Sequence, residues 1–334
     1  MKETYVEAET GYSEEGSAAD LRRSAKNGRK RTLSGIKIAP YFFCAPFFIT
    51  YCVFTLFSMV FTLAVSFTEW DGFGEMSFNR FANYLRFFDY SADPRFYQSL
   101  LNTFILVVCT MPVGIILALF LCYFLNKKLI GKKHLFRVLY YLPALMTPVA
   151  VGLLWSILFD YENGTVNKVL MTLGLIKENI YWMGSAWGCR FVLSVLIVWS
   201  SFGSTVLFLS SALASVSESV VEAATIDGAG PLRTYIKICL PAIRDVLVFI
   251  IITGLINSFQ MYDAPVLLFS SGPSGGLPYG GTDRGCLTML MLIMEEAFTN
   301  GHYGYASALS YGMFLVIGIF SFVSMKLMTR GEEL

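Results

Sequence analysis

Six long apolar runs decide what this chain can become: residues 38–68, 97–126, 138–159, 191–217, 246–262 with an extension to 268, and 303–325. Five of them contain no Asp, Glu, Lys or Arg, and the fifth in order meets only Asp263 near its far end. Crossing a bilayer takes about 20 apolar residues, and each run is long enough. Lipid offers no partner for backbone N–H and C=O groups, so the runs must bond internally as helices. The alternation of a transmembrane β-barrel is absent. The expected fold class is therefore an all-α integral membrane protein with six transmembrane helices.

The placement of basic residues sets an orientation. With the N-terminus inside, most of the 25 Lys and Arg fall on the inner side, leaving Arg80, Arg86, Arg95, Lys168, Lys177, Arg190 and Arg284 outside. Both termini are then cytoplasmic. Residues 1–36 are polar and end in a basic cluster, Arg22 to Arg31, which reads as a cytoplasmic tail. No apolar signal-peptide core follows the start. The transmembrane body is expected at 37–330. Four tryptophans, Trp70, Trp155, Trp182 and Trp187, are expected near the outer interface, and Trp199 lies mid-span.

Composition closes other routes. Only 15% of residues are charged, against about a quarter in a soluble domain, and the net charge is +1. No global field therefore points to nucleic acid. The seven cysteines form no CxxC pair, and the two histidines, His134 and His302, are far apart. Neither a disulfide framework nor a metal site is expected. No catalytic residues are expected either: an intramembrane enzyme needs a nucleophile beside a base, and no histidine accompanies the span serines.

The inner segment 215–241 reads as helix, break, helix. Ser217 suits an N-cap, Gly228 and Gly230 close the first helix, and Pro231 opens the second. Leu232, Tyr235, Ile236 and Cys239 are expected to share one apolar face. Ala223 and Ala224 offer a small surface beside Glu222 and Asp227, which allows close approach and pairing with an Arg. Two readings stand on residues alone: a docking knob, or a connector packed on the bundle.

Glu222-Ala223-Ala224, then Gly228, then Ile238-x-Leu240-Pro241 resembles the EAA loop of ABC importer permeases. Further stretches are similar to the sugar-permease branch: Ser66 to Gly72, Asn83-Tyr84, Asp93 to Phe96, Phe136-Arg137 to Leu142-Pro143 with Pro148-Val149, Ser258-Phe259-Gln260, and Gly304-Tyr305-Ala306. The match covers residues 39–325. The resemblance implies a type I importer permease fold, N-in and C-in, in a bacterial cell membrane. It implies one member of a permease heterodimer, two cytoplasmic ATP-binding subunits and an external sugar-binding protein. Glu222, Ala223, Ala224, Asp227 and Gly228 would couple to the ATPase. ATP and Mg would be used by those partners, because this chain has no GxxxxGK[ST] phosphate loop and no cofactor of its own.

A neutral sugar needs aromatic faces together with hydroxyl and amide groups. Two mid-membrane clusters supply them: Trp199, Ser201 and Ser204 in the fourth run, and Asn257, Ser258, Gln260, Tyr262 and Asp263 in the fifth. Polar groups at that depth face a cavity or glue helices together. Asn257 and Gln260 are assigned to a cavity, and Ser200, Ser210 and Ser211 to glue. The glycine-rich stretch 270–281 is either a contact for the binding protein or a connector. The competing function is an ion-coupled secondary carrier of a small neutral solute, for which Asp263 would be the one intramembrane ionisable group.

Overall fold

The computed structural model describes residues 39–126, 133–270 and 276–329. The expected tail, 1–36, lies outside the described residues, as do Lys127, Lys128, Lys132 and Arg330 of the basic flanks. By contacts the chain divides into two units, Met1–Thr62 and Leu63–Leu334.

In the first unit the chain is helical from α1 (Ala39–Thr50) through a π-helical turn (Tyr51–Leu56) into α2 (Phe57–Val65). Pro46 has no N–H to give within the helix, and the wider π turn follows at Tyr51. Phe42, Phe43, Phe47, Phe54 and Phe57 are all exposed, so the helix is apolar all round.

The second unit opens with a short antiparallel ladder, β1 (Thr68–Glu69) and β2 (Ser77–Phe78), and the short helix α3 (Ala82–Phe88). Two long helices, α4 (Pro94–Asn126) and α8 (Ala186–Ala214), form its spine and pack along each other. Between them come α5 (Lys133–Leu145), α6 (Pro148–Leu158) and α7 (Thr165–Thr172). Gly203 lets the backbone of Tyr140 press against α8; a Cβ there would collide with the Tyr140 carbonyl. After α8 follow α9 (Glu218–Ile226), α10 (Pro231–Thr234), a π turn (Tyr235–Cys239) and α11 (Leu240–Ala242). The chain continues in α12 (Arg244–Phe259), α13 (Asp263–Ser270), α14 (Met289–Met294) with a π turn (Glu295–Thr299), and α15 (Tyr303–Thr329).

Among the described residues, four helical stretches are long and apolar enough to span a bilayer: Tyr41–Val65, Pro94–Leu125, Ala186–Ala214 and Tyr303–Leu327. The other two expected spans are broken. The third run bends by 104° between α5 and α6. Its cause was present in the sequence: proline disfavours a helical residue before it, and Thr147 before Pro148 is extended at φ −67°, ψ 142°. The Thr147 hydroxyl then accepts a hydrogen bond from the Ala150 N–H, at 3.4 Å, and restarts the helix. The fifth run ends at Phe259. Gln260 leaves helical geometry, and the chain restarts at Asp263 as the half-helix α13. Upstream, α12 is bent by 72° from the helical stretch Pro231–Ala242.

Other expectations are also corrected. Leu232, Tyr235, Ile236 and Cys239 do not share a face. Tyr235 and Cys239 are buried, whereas Leu232 and Ile236 are exposed. The π turn winds more residues per turn than an α-helix and separates the two pairs. Trp155 is buried among side chains, stacked on Phe159 with ring centroids 5.4 Å apart and tilted against Trp199 at 5.8 Å. α14 lies between the fifth and sixth apolar runs. Its apolar stretch is too short to span, yet Met289, Met291 and Leu292 are fully buried.

Three apolar clusters hold the unit. Phe259, Leu292 and Leu309 centre one, Trp155, Leu193 and Leu268 a second, and Leu209, Cys122 and Tyr235 a third nearest the segment 215–241.

Candidate substrate path and coupling segment

A cavity of about 580 Å³ opens between α4, the α5–α6 bend, α8, α12 and the start of α13. That volume suits a small-molecule site. Ser201, Ser204, Asn257, Ser258 and Asp263 line it as expected. Trp199, Gln260 and Tyr262 do not. Trp199 packs into the second apolar cluster. Gln260 caps α12, giving its backbone N–H to the Ile256 carbonyl, and its side chain is exposed away from the cavity. Tyr262 pairs with the Tyr279 hydroxyl. The helix break at 260–262 is the physical reason: once α12 stops, Gln260 and Tyr262 no longer follow the face that carries Asn257.

Ser200 behaves unlike glue. It lines the cavity, and its Oγ is buried with no hydrogen-bond partner. Its neighbour Ser204 instead donates to the Ser201 carbonyl at 2.7 Å, and Thr253 to the Phe249 carbonyl at 2.7 Å. Ser210 does act as glue, facing the Cys122 sulfur at 3.5 Å, while Ser211 is exposed. Sequence reasoning missed the opposite wall, with Thr110 and Gly114 of α4 and with Pro143 and Met146 at the bend. A polar and a small residue four apart in the second run, and the Thr-Pro step in the third, were the available signals.

The segment 215–241 joins both alternatives left open by the sequence. One face packs on the bundle: Val221 lies against the third cluster, Ala224 is buried, and the Tyr235 hydroxyl donates to the Leu119 carbonyl of α4 at 2.9 Å. The other face is free of protein. Glu222, Ala223, Asp227 and Gly228 are exposed, and Ile226 stands 86% exposed. Ala224 therefore does not belong to the small outer surface expected for it. The end of α9 is closed by two backbone bonds, Ala229 N–H to the Ala224 carbonyl at 2.9 Å and Gly228 N–H to the Thr225 carbonyl at 3.1 Å. This Schellman closure needs a left-handed residue, and Gly228 supplies it at φ +80°. Ser217 precedes α9 in extended geometry, but its hydroxyl pairs with the Ser219 hydroxyl and not with a backbone N–H of the helix.

At the end of the bundle that the charge bias marks as outer, an ion cluster ties three elements together. Arg95 reaches Asp93 at 3.0 Å and Glu296 at 2.6 Å. Glu296 is fully buried and also accepts from Asn300 at 2.9 Å and meets His302 Nδ1 at 2.8 Å. The Tyr305 hydroxyl donates to Asp93 at 3.0 Å, and Arg86 stacks over the Tyr305 ring. Burial alone would raise the Glu296 carboxyl, but the His302 hydrogen bond, the Arg95 charge and the Asn300 amide outweigh it and hold its pKa below the ordinary value. Nearby, Arg190 bonds the Gly285 carbonyl at 2.9 Å and Asn102 at 2.7 Å, and Arg284 pairs with Glu295 at 3.2 Å. Of the glycine-rich stretch, 271–275 lie outside the described residues. The remainder is anchored, with Leu277 N–H on the Phe269 carbonyl at 2.8 Å. Among the described residues, no three His, Cys, Asp or Glu side chains are grouped to hold a metal.

Residues 90–331 match the family described as binding-protein-dependent transport system inner membrane component. The chain is 30% identical to the probable ABC transporter permease protein YesP of Bacillus subtilis, over 93% of this chain and 95% of that one. It is 29% identical to the arabinooligosaccharides transport system permease protein AraP of the same organism, over 87% and 88%. It is 31% identical to the sn-glycerol-3-phosphate transport system permease protein UgpA of Yersinia pestis, over 86% and 94%. A crystal structure of a bacterial ABC transporter that imports the acidic polysaccharide alginate superposes with a TM-score of 0.76 at 19% identity, over 90% of this chain and 99% of that one. The fold is accordingly that of an ABC importer permease, a multi-pass cell-membrane transport protein and not an enzyme. The chain belongs to the family of binding-protein-dependent transport system inner membrane components.

Proposed function

We propose that this chain is one permease subunit of an ATP-driven importer that carries a sugar, of oligosaccharide size, delivered by an external binding protein. The observation that carries this reading is the cavity at the junction of the broken helices, whose largely apolar wall carries a set of serine and threonine hydroxyls, the Asn257 amide and one carboxylate, Asp263. Sugars offer many hydroxyls and no charge, and such a wall matches them. Relatives that carry arabinooligosaccharides support the size class.

A second, homologous permease would complete the path, and two cytoplasmic subunits would use ATP and Mg. Their motion would enter through the exposed face of α9, with Glu222 as the charged contact, Ala223 as the close-approach surface and Gly228 as the fixed end. Both termini would lie in the cytoplasm, as the basic residues indicate. The test is ATPase activity of the assembled importer in lipid, with sugar-loaded binding protein added. Stimulation that Glu222→Ala reduces at least tenfold is expected. No stable complex with an ATPase, or equal stimulation in the variant, would overturn the assignment.

A further inference from the structure

We propose that the cavity selects neutral sugars against uronic and phosphorylated ones, and that Asp263 is the residue setting this charge preference. The inference rests on the cavity being the sugar path and names the substrate class that path takes.

The fold does not decide the charge of the cargo. The alginate importer has the same fold and imports an acidic polysaccharide, and one relative carries sn-glycerol-3-phosphate. Side chains must decide it. An anion taken to mid-membrane depth loses its hydration and needs a cation or several donors in return. Among the described lining residues there is no Lys, Arg or His, and the one charged group is the Asp263 carboxylate. Three arginines at the outer end are already committed: Arg95 to Asp93 and Glu296, Arg284 to Glu295, Arg190 to Asn102 and a backbone carbonyl.

Helix N-termini are the other usual anion sites, and two of them meet the cavity. Neither presents a full set of free N–H groups to an anion. α6 begins with Pro148, which has no N–H, and its Ala150 N–H is taken by the Thr147 hydroxyl. α13 carries Asp263 itself in its first turn, so the positive end of that helix already faces a carboxylate.

Features that favour a neutral polyol are present on the same wall. The Ser200 Oγ is buried without a partner beside the cavity, and a buried hydroxyl of this kind calls for one. A sugar hydroxyl both donates and accepts, which matches serine. Asn257 adds two donors and an acceptor on the facing helix. Asp263 accepts hydrogen bonds from neutral hydroxyls while repelling carboxylate and phosphate.

The experiment is calorimetric titration of the importer, assembled from this chain and its native partners in lipid nanodiscs. Binding protein is omitted so that its own selectivity does not enter. The probes are maltotriose, xylotriose, galactotriose, trigalacturonic acid and glucuronic-acid-substituted xylotriose. At least one neutral sugar is expected to bind ten or more times tighter than its acidic counterpart, equivalent to about 1.4 kcal/mol. Asp263→Asn should narrow that gap at least threefold, and Asp263→Glu should keep it. Ser200→Ala should weaken the neutral sugar several-fold. An acidic sugar that binds as tightly as its neutral partner overturns the selection, and so does a gap that Asp263→Asn leaves intact. If no sugar of either kind binds, the sugar path itself is wrong and the selection falls with it.

Discussion

The two ends of the second unit are built on opposite plans. At the outer end, Arg95, Asp93, Glu296, Asn300, His302 and Tyr305 satisfy one another around a fully buried carboxylate. At the inner end, Glu222, Ala223, Ile226 and Asp227 face away from the protein, and what holds their helix lies behind them at Val221, Ala224 and the Tyr235 hydroxyl. One end spends its polar groups internally and is stiff. The other leaves them exposed. A charged residue therefore sits differently at the two ends: Glu296 is buried among partners, and Glu222 stands on an open face.

Substitutions can break this contrast. Glu296→Ala should have the largest effect on stability. It leaves Arg95 short of a partner and opens a cavity where His302 and Asn300 converged. Breaking a buried pair costs about 3–5 kcal/mol. Arg95 is 28% exposed and keeps Asp93, so about 2–3 kcal/mol is expected. Thermal unfolding of the purified chain in detergent should shift downward by roughly 3–4 °C. Glu222→Ala should stay within about 0.5 kcal/mol of wild type in the same assay. Equal shifts for the two would erase the distinction between the ends.

Gly152→Val comes next. A Cβ at Gly152 would stand 2.7 Å from Leu267 Cβ, where α6 meets α13. Overpacking of this kind costs about 1–3 kcal/mol. Because those half-helices border the cavity, the same variant should also lower sugar uptake. Normal uptake with lowered stability would separate the packing of the two half-helices from transport.

Gly228→Ala isolates backbone strain. Nothing lies within 4 Å of an added Cβ, so the only cost is the left-handed conformation at φ +80°. That is worth about 1 kcal/mol. Urea unfolding of the variant should show a loss of this size. A neutral result would mean that α9 can close without the turn that orients its outer face.

The sequence revealed the inner end better than the outer one, and the reason is distance along the chain. The markers of the segment 215–241, Ser217, Gly228 and Pro231, are local signals that each act on their neighbours, and the structure uses all but the side chain of Ser217 as a helix boundary or closure. The outer cluster joins Arg95 to Glu296, 201 residues apart, and no local pattern announces such a pair. The cavity falls between these cases. Ser201 and Asn257 were legible as polar groups in apolar runs. Gln260 and Tyr262 were misplaced because hydrophobicity alone does not report where α12 stops, and Ser200 was misassigned because a serine that lacks a partner looks the same in sequence as one that bonds its own helix.

The smallest expected effect follows from the titration of Glu296. Its pKa is lowered in the folded protein, since the His302, Arg95 and Asn300 contacts outweigh its burial. A carboxylate with a depressed folded value stabilises fully above its unfolded pKa of about 4.3, and that contribution is lost as pH falls through the lower folded value. Thermal unfolding measured between pH 3 and 7 should therefore steepen for wild type below about pH 4. Glu296→Gln keeps the shape of the side chain and cannot titrate, so its profile should lack that component. Because only part of the cluster's energy depends on this proton, the difference should be smaller than the whole loss in Glu296→Ala. Parallel profiles would show that the Glu296 carboxyl gains nothing from its contacts, and the outer end would then owe its stiffness to packing by Tyr305 and its neighbours and not to charge.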